Sequence, residues 1–363
     1  MNGAGDIAAL AIPFAAGAAA GAFTAGLAAG TESQWILPSV LLPALLLLTP
    51  LLVSRRGRIP AYALAFFLLG AFCTLSRALV PGTSAPLAFA AKACDVLKRA
   101  IDGIPFRDAR SSSLVRALLT GDRSGLDRGT VEAFRNSGAA HILALSGLHL
   151  GLIYLLVRRI LGLVGASPAA RRIRCSLTIG ATAFYTLMTG AGPSVVRAFL
   201  YVCVSEAAAL DTGRRKHPAS ILLAALTLQL AATPPVIASV GFQLSYLAML
   251  GITLLLPRLQ AWYPEPQTRL EKADPMRKIW NAAALTISCQ VFTAPLAWFR
   301  FHTFPKYFLL TNLLSLPISG AVMLVSVLTL AASAAGACPY WLVQADDALI
   351  ETLVFVLKTI SSL

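Results

Sequence analysis

Three apolar stretches of the sequence carry polar or ionisable side chains that hydrocarbon tolerates poorly. The first runs His141-Ile142-Leu143-Ala144-Leu145-Ser146-Gly147-Leu148-His149. The second runs Thr189-Gly190-Ala191-Gly192-Pro193-Ser194-Val195-Val196-Arg197, and the third Gly241-Phe242-Gln243-Leu244-Ser245-Tyr246. Burying a charge at membrane depth costs kilocalories, so an ionisable group there marks an ion or substrate pathway by default. Arg197 is the strongest of these signals. Its guanidinium is a fixed cation with a planar fork of donors suited to phosphate. It lies one turn after Gly190-Ala191-Gly192-Pro193-Ser194, a run at which a helix should break or re-enter before restarting. Pro193 suits a first helical turn, and Ser194 can bond free backbone amides there. A helix N-terminus within a membrane directs its positive dipole end at anions. An anion passing Gly192, Ser194 and Arg197 would therefore meet both the dipole and the cation. The alternative is that Arg197 snorkels to the outer surface and anchors its helix.

The spacing places His149 about two turns into its helix, with Ser146 three residues earlier on the same face. Gly147 lets another backbone approach closely. A neutral imidazole bonded to a neighbouring helix and a wall of a polar conduit are both open readings of His149. Ser146 with His149 superficially resembles an intramembrane serine hydrolase, but such enzymes normally bring the base from a different element. His141 and His149 are eight residues apart, about 12 Å along a helix, too far to share one metal ion. No metal and no cofactor is expected, and no catalytic residue is assigned. Gln243, Gln290 and Asn312 read as interhelical hydrogen-bonding groups. Glu206, roughly 13 Å along the axis from Arg197 and on the opposite face, cannot pair with it. Phe184, Tyr185, Tyr201 and Phe242 serve either as packing or as surfaces for base stacking.

The elements that position these residues follow from composition. Of 363 residues, 57% are hydrophobic and 13% charged, and the mean hydropathy is +0.73. Soluble domains carry about 25% charged residues, so lipid must replace water around most of this chain. Apolar stretches able to span lie at 7–30, 35–53, 59–80, 139–157, 173–190, 194–211, 219–233, 236–256, 279–299, 305–333 and 339–360. The fold class is therefore all-α, a polytopic membrane protein of about 10–11 helices, some broken or re-entrant. Leu316-Pro317 allows one kinked helix or two short ones, and 219–233, ending in Thr233-Pro234-Pro235, reads as a half-helix.

The formal net charge is +14. It fits either the positive-inside bias of cytoplasmic loops or an anionic cargo such as nucleic acid. Clusters at Arg55-Arg56-Arg58, Arg158-Arg159-Arg171-Arg172-Arg174, Arg214-Arg215-Lys216 and Arg258-Arg269-Lys272-Arg277-Lys278 all fall on one side of the predicted crossings. That side is then cytoplasmic, together with the N-terminus. The start MNGAGDIAAL lacks the basic residues of a cleavable signal, so the first Ala/Gly-rich run is expected to be a retained helix. Six single cysteines suggest small hydrophobes rather than a disulfide framework or zinc ribbon. The stretch 81–138, with nine Lys/Arg against six Asp/Glu, reads as extracytoplasmic amphipathic helices at the membrane surface. Within it, Ser111-Ser112-Ser113 resembles a helix cap, and Gly121-Asp122-Arg123-Ser124-Gly125 a polar break. The expected organisation is 1–80 N-terminal helices, 81–138 the amphipathic segment, 139–335 the channel-type membrane domain, and 336–363 a C-terminal hydrophobic helix.

At this point a family resemblance enters. Phe134, Asn136-Ser137-Gly138, His141, Ala144, Ser146-Gly147 and His149, in that order, resemble the signature of ComEC-type competence proteins. So do Tyr185 with Thr189 through Ser194, Arg197-Ala198, Gly241 through Ser245, Gln290 with Pro295-Leu296, and Asn312 with Pro317. The resemblance covers about 110–335. It implies a multi-pass channel in a bacterial inner membrane that takes up single-stranded DNA during natural transformation. It further implies a DNA receptor outside, an ATPase inside and contact with membrane lipids. It carries over His141, Ser146, His149, Ser194, Arg197, Gln243 and Ser245 as polar candidates along the path. Relatives often add an OB-type domain and a metallo-hydrolase-like domain. The sequence shows no His-x-His-x-Asp-His motif, so strand degradation is expected to fall to a separate nuclease. Other anionic or lipid-linked cargo, and a Ser146 hydrolase, are the rival readings.

Overall fold

Apolar runs of this length fold as helices in lipid because every backbone N–H and C=O must then be bonded within its own segment. A computed structural model of the chain describes residues 12–20, 88–163, 167–212, 217–263, 274–302 and 304–363, and among these there is no strand. After a helical stretch at 12–20, the helices are α1 (Ala88–Asp102), α2 (Ala109–Thr120), α3 (Arg128–Asn136), α4 (Ala140–Leu143) and α5 (Gly147–Leu161). Next come α6 (Pro168–Met188), α7 (Pro193–Thr212) and α8 (Pro218–Ala232), a 3-10 turn (Pro234–Ala238), and α9 (Val240–Leu254). The chain continues through α10 (Leu256–Gln260), α11 (Pro275–Phe301), α12 (Phe308–Ala334) and α13 (Tyr340–Ser361). The protein is an all-helical membrane protein. Three described helices are long and apolar enough to cross a bilayer: Pro193–Leu210 of α7, and all of α11 and α12. The shorter apolar helices α8 and α9 accompany them.

The expected spans at 35–53 and 59–80, most of 7–30, and the cationic clusters at 55–58 and 214–216 lie outside the described residues, as do Arg269 and Lys272. Elsewhere the apolar runs and the helices agree closely, with one open alternative decided and two instructive differences. The stretch 305–333 is one helix that keeps Pro317 inside it, and α11 likewise keeps Pro295. Proline removes one ladder bond, in α12 the one to the Leu313 carbonyl, and both helices continue past the gap. Thr311 donates to the Tyr307 carbonyl and Ser315 to that of Thr311, at 2.9 and 2.6 Å. The stretch 139–157 is two helices, because Ala144 is extended and Ser146 starts a new N-terminus. The stretch 236–256 starts with the 3-10 turn, since Pro234-Pro235 cannot supply ladder donors.

The described chain divides into two compact units. One contains 166–179, 196–246 and the helical stretch at 12–20. Its core gathers Phe14, Ala18, Leu230 and Phe242, with Leu226, Val236 and Tyr246 packed around them. The other contains 86–165, 180–195 and 247–363. Its core is built by α2, α3, α12 and α13: Leu114, Leu118 and Phe134 meet Val322, Met323, Leu353 and Leu357, all 0–1% exposed. The amphipathic stretch thus turns its apolar faces onto α12 and α13. Within this unit, Gly251 of α9 lies so close to α11 that an added Cβ would stand 2.1 Å from the Ser288 carbonyl oxygen.

Local chemistry ends these short helices where side chains can replace ladder bonds. Asp108 caps α2 by accepting from the Arg110 amide at 3.0 Å, so the expected serine cap is displaced upstream. Ser112 and Ser113 instead lie inside the helix and donate to the Ala109 carbonyl. Asp127 caps α3, accepting from the Thr130 amide at 2.9 Å and its hydroxyl at 2.7 Å. Between α2 and α3 runs the polar break, which starts at Gly121. There Lys98 and Asp122 form an ion pair of 2.9 Å. Lys98, and then Ser124, hold the Asp122 carboxyl well below the usual carboxylate range.

Candidate functional site

The turn between α6 and α7 is a helix stop followed at once by a helix start. The Ala191 amide bonds the Thr186 carbonyl at 2.9 Å and the Gly190 amide bonds that of Leu187 at 3.1 Å. This is the pattern that closes a helix with a left-handed residue. Gly190 supplies that residue at φ +81°, and Ala191 follows at +51°. Gly192 then leads into Pro193, the first residue of α7, whose missing N–H leaves no donor to satisfy. Ser194 is half-buried in the same turn.

Arg197, one turn further along α7, is 9% exposed. Its guanidinium donates to the backbone carbonyl of Ser245 on α9. That contact joins residues 48 apart, and both partners belong to the first unit. A helical carbonyl carries two lone pairs, so it can serve the ladder and a guanidinium together. The arginine lies against protein.

The groups around Ser245 hold α9 in place. Gln243 donates from Nε2 to the Ile237 carbonyl at 2.9 Å, bracing the 3-10 turn. The Tyr246 hydroxyl donates to Gln229 Oε1 of α8, also at 2.9 Å. Phe242 packs at 4.6 Å, ring to ring, on Tyr246. Gln243 and Ser245, expected from the sequence, thus fall beside the Arg197 contact. Tyr246, from the same stretch, and Gln229 complete this arrangement, and Gln229 was not singled out by spacing. A polar amide in an otherwise apolar helix was the available signal for Gln229.

His141, Ser146 and His149 belong to the second unit and form a different kind of structure. Ser146 is the N-cap of α5, its Oγ accepting from the Leu148 amide at 3.2 Å. His149 Nδ1 accepts from the Ser146 amide at 3.2 Å and stands 3.1 Å from Ser146 Oγ. The two side chains close a reciprocal capping box. His149 is therefore in the first turn of its helix, not two turns deep, because the break at Ala144–Ser146 moves the helix start. It is 1% exposed. His141, on the short α4, turns Nδ1 to the Gly138 carbonyl at 3.2 Å. Since Nδ1 of His149 has one lone pair and a backbone amide points at it, this nitrogen is poorly placed to take a proton from Ser146.

Other motif residues take structural posts. The Tyr185 hydroxyl donates to the Leu119 carbonyl at 3.0 Å, linking α6 to α2. Thr311 joins α12 to the Ser137 carbonyl at 2.7 Å. Asn312 retains a buried Oδ1 with no donor among the described residues. Among the described residues, no group of three or more His, Cys, Asp or Glu side chains is placed to hold a metal ion. Two buried acids escaped the sequence reading: Asp346 and Asp347, at 0% and 3% exposure in α13. The reasoning that singled out Arg197 applies equally to adjacent acids in an apolar stretch.

Residues 118–363, more than half of the chain, match the family model described as competence protein. The chain is 28% identical over 234 residues to ComE operon protein 3 of Bacillus subtilis (strain 168). That stretch is 61% of this chain and 27% of the relative, so the chain spans little more than a quarter of that protein. No solved structure matches it significantly.

Proposed function

The chain belongs to the competence protein family, and from that premise we propose that it forms a membrane-embedded passage for single-stranded DNA in natural transformation. The observation that carries this reading is Arg197. A permanent cation is held nine-tenths buried against a helical carbonyl, one turn after the restart of an apolar helix. A fixed cation at such a position can meet an anion that passes it, and a DNA strand presents a phosphate at every nucleotide. The rigid Ser245 contact fixes the guanidinium in place, so a phosphate meets a cation that need not reorganise. Gln243 and Ser245 support the cation from behind, whereas Ser146, His149 and His141 hold the α4–α5 break.

Transport demands weak, repeated contacts rather than tight binding, and one arginine on an apolar wall suits that need. DNA delivery from a receptor outside and pulling by an ATPase inside belong to the same proposal, as does second-strand removal by a separate nuclease. The inner membrane of a bacterium is the setting, with the N-terminus on the cytoplasmic side. The test is deletion of the chain in a transformable host given labelled DNA. Label should persist at the cell surface while none reaches the cytoplasm. Continued entry of label after deletion would remove the proposal.

A further inference from the structure

Asp346 and Asp347 sit side by side in α13, and among the described residues no Lys, Arg or His forms an ion pair with either. Asp346 Oδ1 accepts from Ser326 of α12 at 3.0 Å, and Asp347 Oδ2 accepts from the backbone amide of Arg107 at 3.1 Å. Each acid keeps one buried oxygen that no donor among the described residues reaches, Asp346 Oδ2 and Asp347 Oδ1. The elements packed on α13 offer no compensating charge. Helix α12 has no ionisable side chain along its whole length. In α2, Arg110 lies beside Asp108 and Arg116 pairs with Asp102. In α3, Arg128, Glu132 and Arg135 are exposed, as are Glu351 and Lys358 of α13 itself and the side chain of Arg107. The charged group that acts on Asp346 is its neighbour, Asp347.

Two adjacent carboxylates buried without a cation cannot both stay ionised at reasonable cost. Adjacent helical positions diverge by about 100°, so the two acids do not converge on one point. Metal cations such as Ca²⁺ need about six or more oxygens arranged around them, and this geometry offers no such cage. A proton needs only one oxygen.

We propose that Asp346 and Asp347 constitute a proton-binding site, occupied while α13 is closed onto α12 and the α1–α2 connector. Asp346 takes up the proton and becomes a neutral acid beside Asp347. Its release leaves two like charges that only water can relieve, and so favours opening at the Ser326 and Arg107 contacts. The site is independent of the DNA passage.

The full chain in lipid nanodiscs provides the test, with reversible unfolding followed across mildly acid to mildly alkaline pH. In the wild type the folded-to-unfolded ratio should fall by up to about tenfold per pH unit, the slope for one bound proton. Asp346→Asn, a permanent neutral mimic, should flatten that slope. Parallel slopes in the two proteins would overturn the proposal, and so would stabilisation of the wild type by sodium over a bulky organic cation at fixed ionic strength. Should Asp346→Asn fail to fold, infrared spectroscopy of the wild type decides. A buried carboxylic-acid carbonyl band at neutral pH that shifts in heavy water supports the site, and its absence refutes it.

Discussion

Replacing Arg197 with Gln separates a cation that meets DNA from one that merely packs. The effect on folding should be small because two terms oppose each other. The substitution gives up a charge-assisted hydrogen bond to the Ser245 carbonyl, of the kind worth roughly 1.5–3 kcal/mol. It also relieves burial of a charge at membrane depth, put at roughly 2.5–3.5 kcal/mol on insertion scales. Glutamine still carries an amide donor. Conduction is different, since a phosphate about 4 Å from a unit charge gains roughly 4 kcal/mol at an effective dielectric of about 20. If half of that attraction lowers the barrier to each phosphate, its loss slows passage by about thirtyfold, and the whole by about a thousandfold. Arg197→Lys keeps the charge but loses the fork, and should fall between wild type and Gln. The assay counts transformants and cytoplasmic labelled DNA, with protein level measured by immunoblot and surface-bound DNA as a control. Wild-type uptake by Arg197→Gln at normal protein level would refute the role of the cation.

Two further outcomes follow from local geometry. Ser146→Ala removes the α5 cap, so unfolding should become easier by about 1 kcal/mol, while DNA uptake stays within a few-fold of wild type. Loss of uptake in a variant that folds normally would instead give Ser146 a direct part in the chemistry. The Lys98–Asp122 pair should make acid stability pH-dependent. Because the folded Asp122 carboxyl titrates below its ordinary value of about 3.9, its contribution is complete at neutral pH. It fades as pH falls through and below that value. Acid unfolding followed by circular dichroism should show a shallower decline in Asp122→Asn, and identical acid limbs would contradict the pairing.

Much of the architecture was legible in one dimension. Low charge and long apolar runs require helices in lipid, since no other open structure satisfies its own backbone there. Gly190 through Pro193 required a stop and a restart, because local hydrogen bonding and the proline ring decide such turns without help from distant residues. The position of Arg197 in an apolar run announced a costly charge. Spacing alone failed where a second break intervened: His149 looked deep because 139–157 read as one helix, yet Ser146 caps a new one. It failed again for Asp346 and Asp347, whose isolation shows only once the charge-free face of α12 and the Arg107 amide are placed against them.

Composition and periodicity describe which face of a segment is apolar, but not which other segment will cover it. The amphipathic stretch 88–136 could bury its apolar faces in lipid or in protein, and in the folded chain α2 and α3 bury them on α12 and α13. The same holds for Arg197, whose choice between the membrane surface and the Ser245 carbonyl depends on bringing together residues 48 apart. Contacts of that range are selected by how whole helices pack. The amino-acid order therefore determined the lipid-embedded helices and the charges they carry, and tertiary packing determined which charge found a carbonyl and which pair of acids met no cation among the described residues.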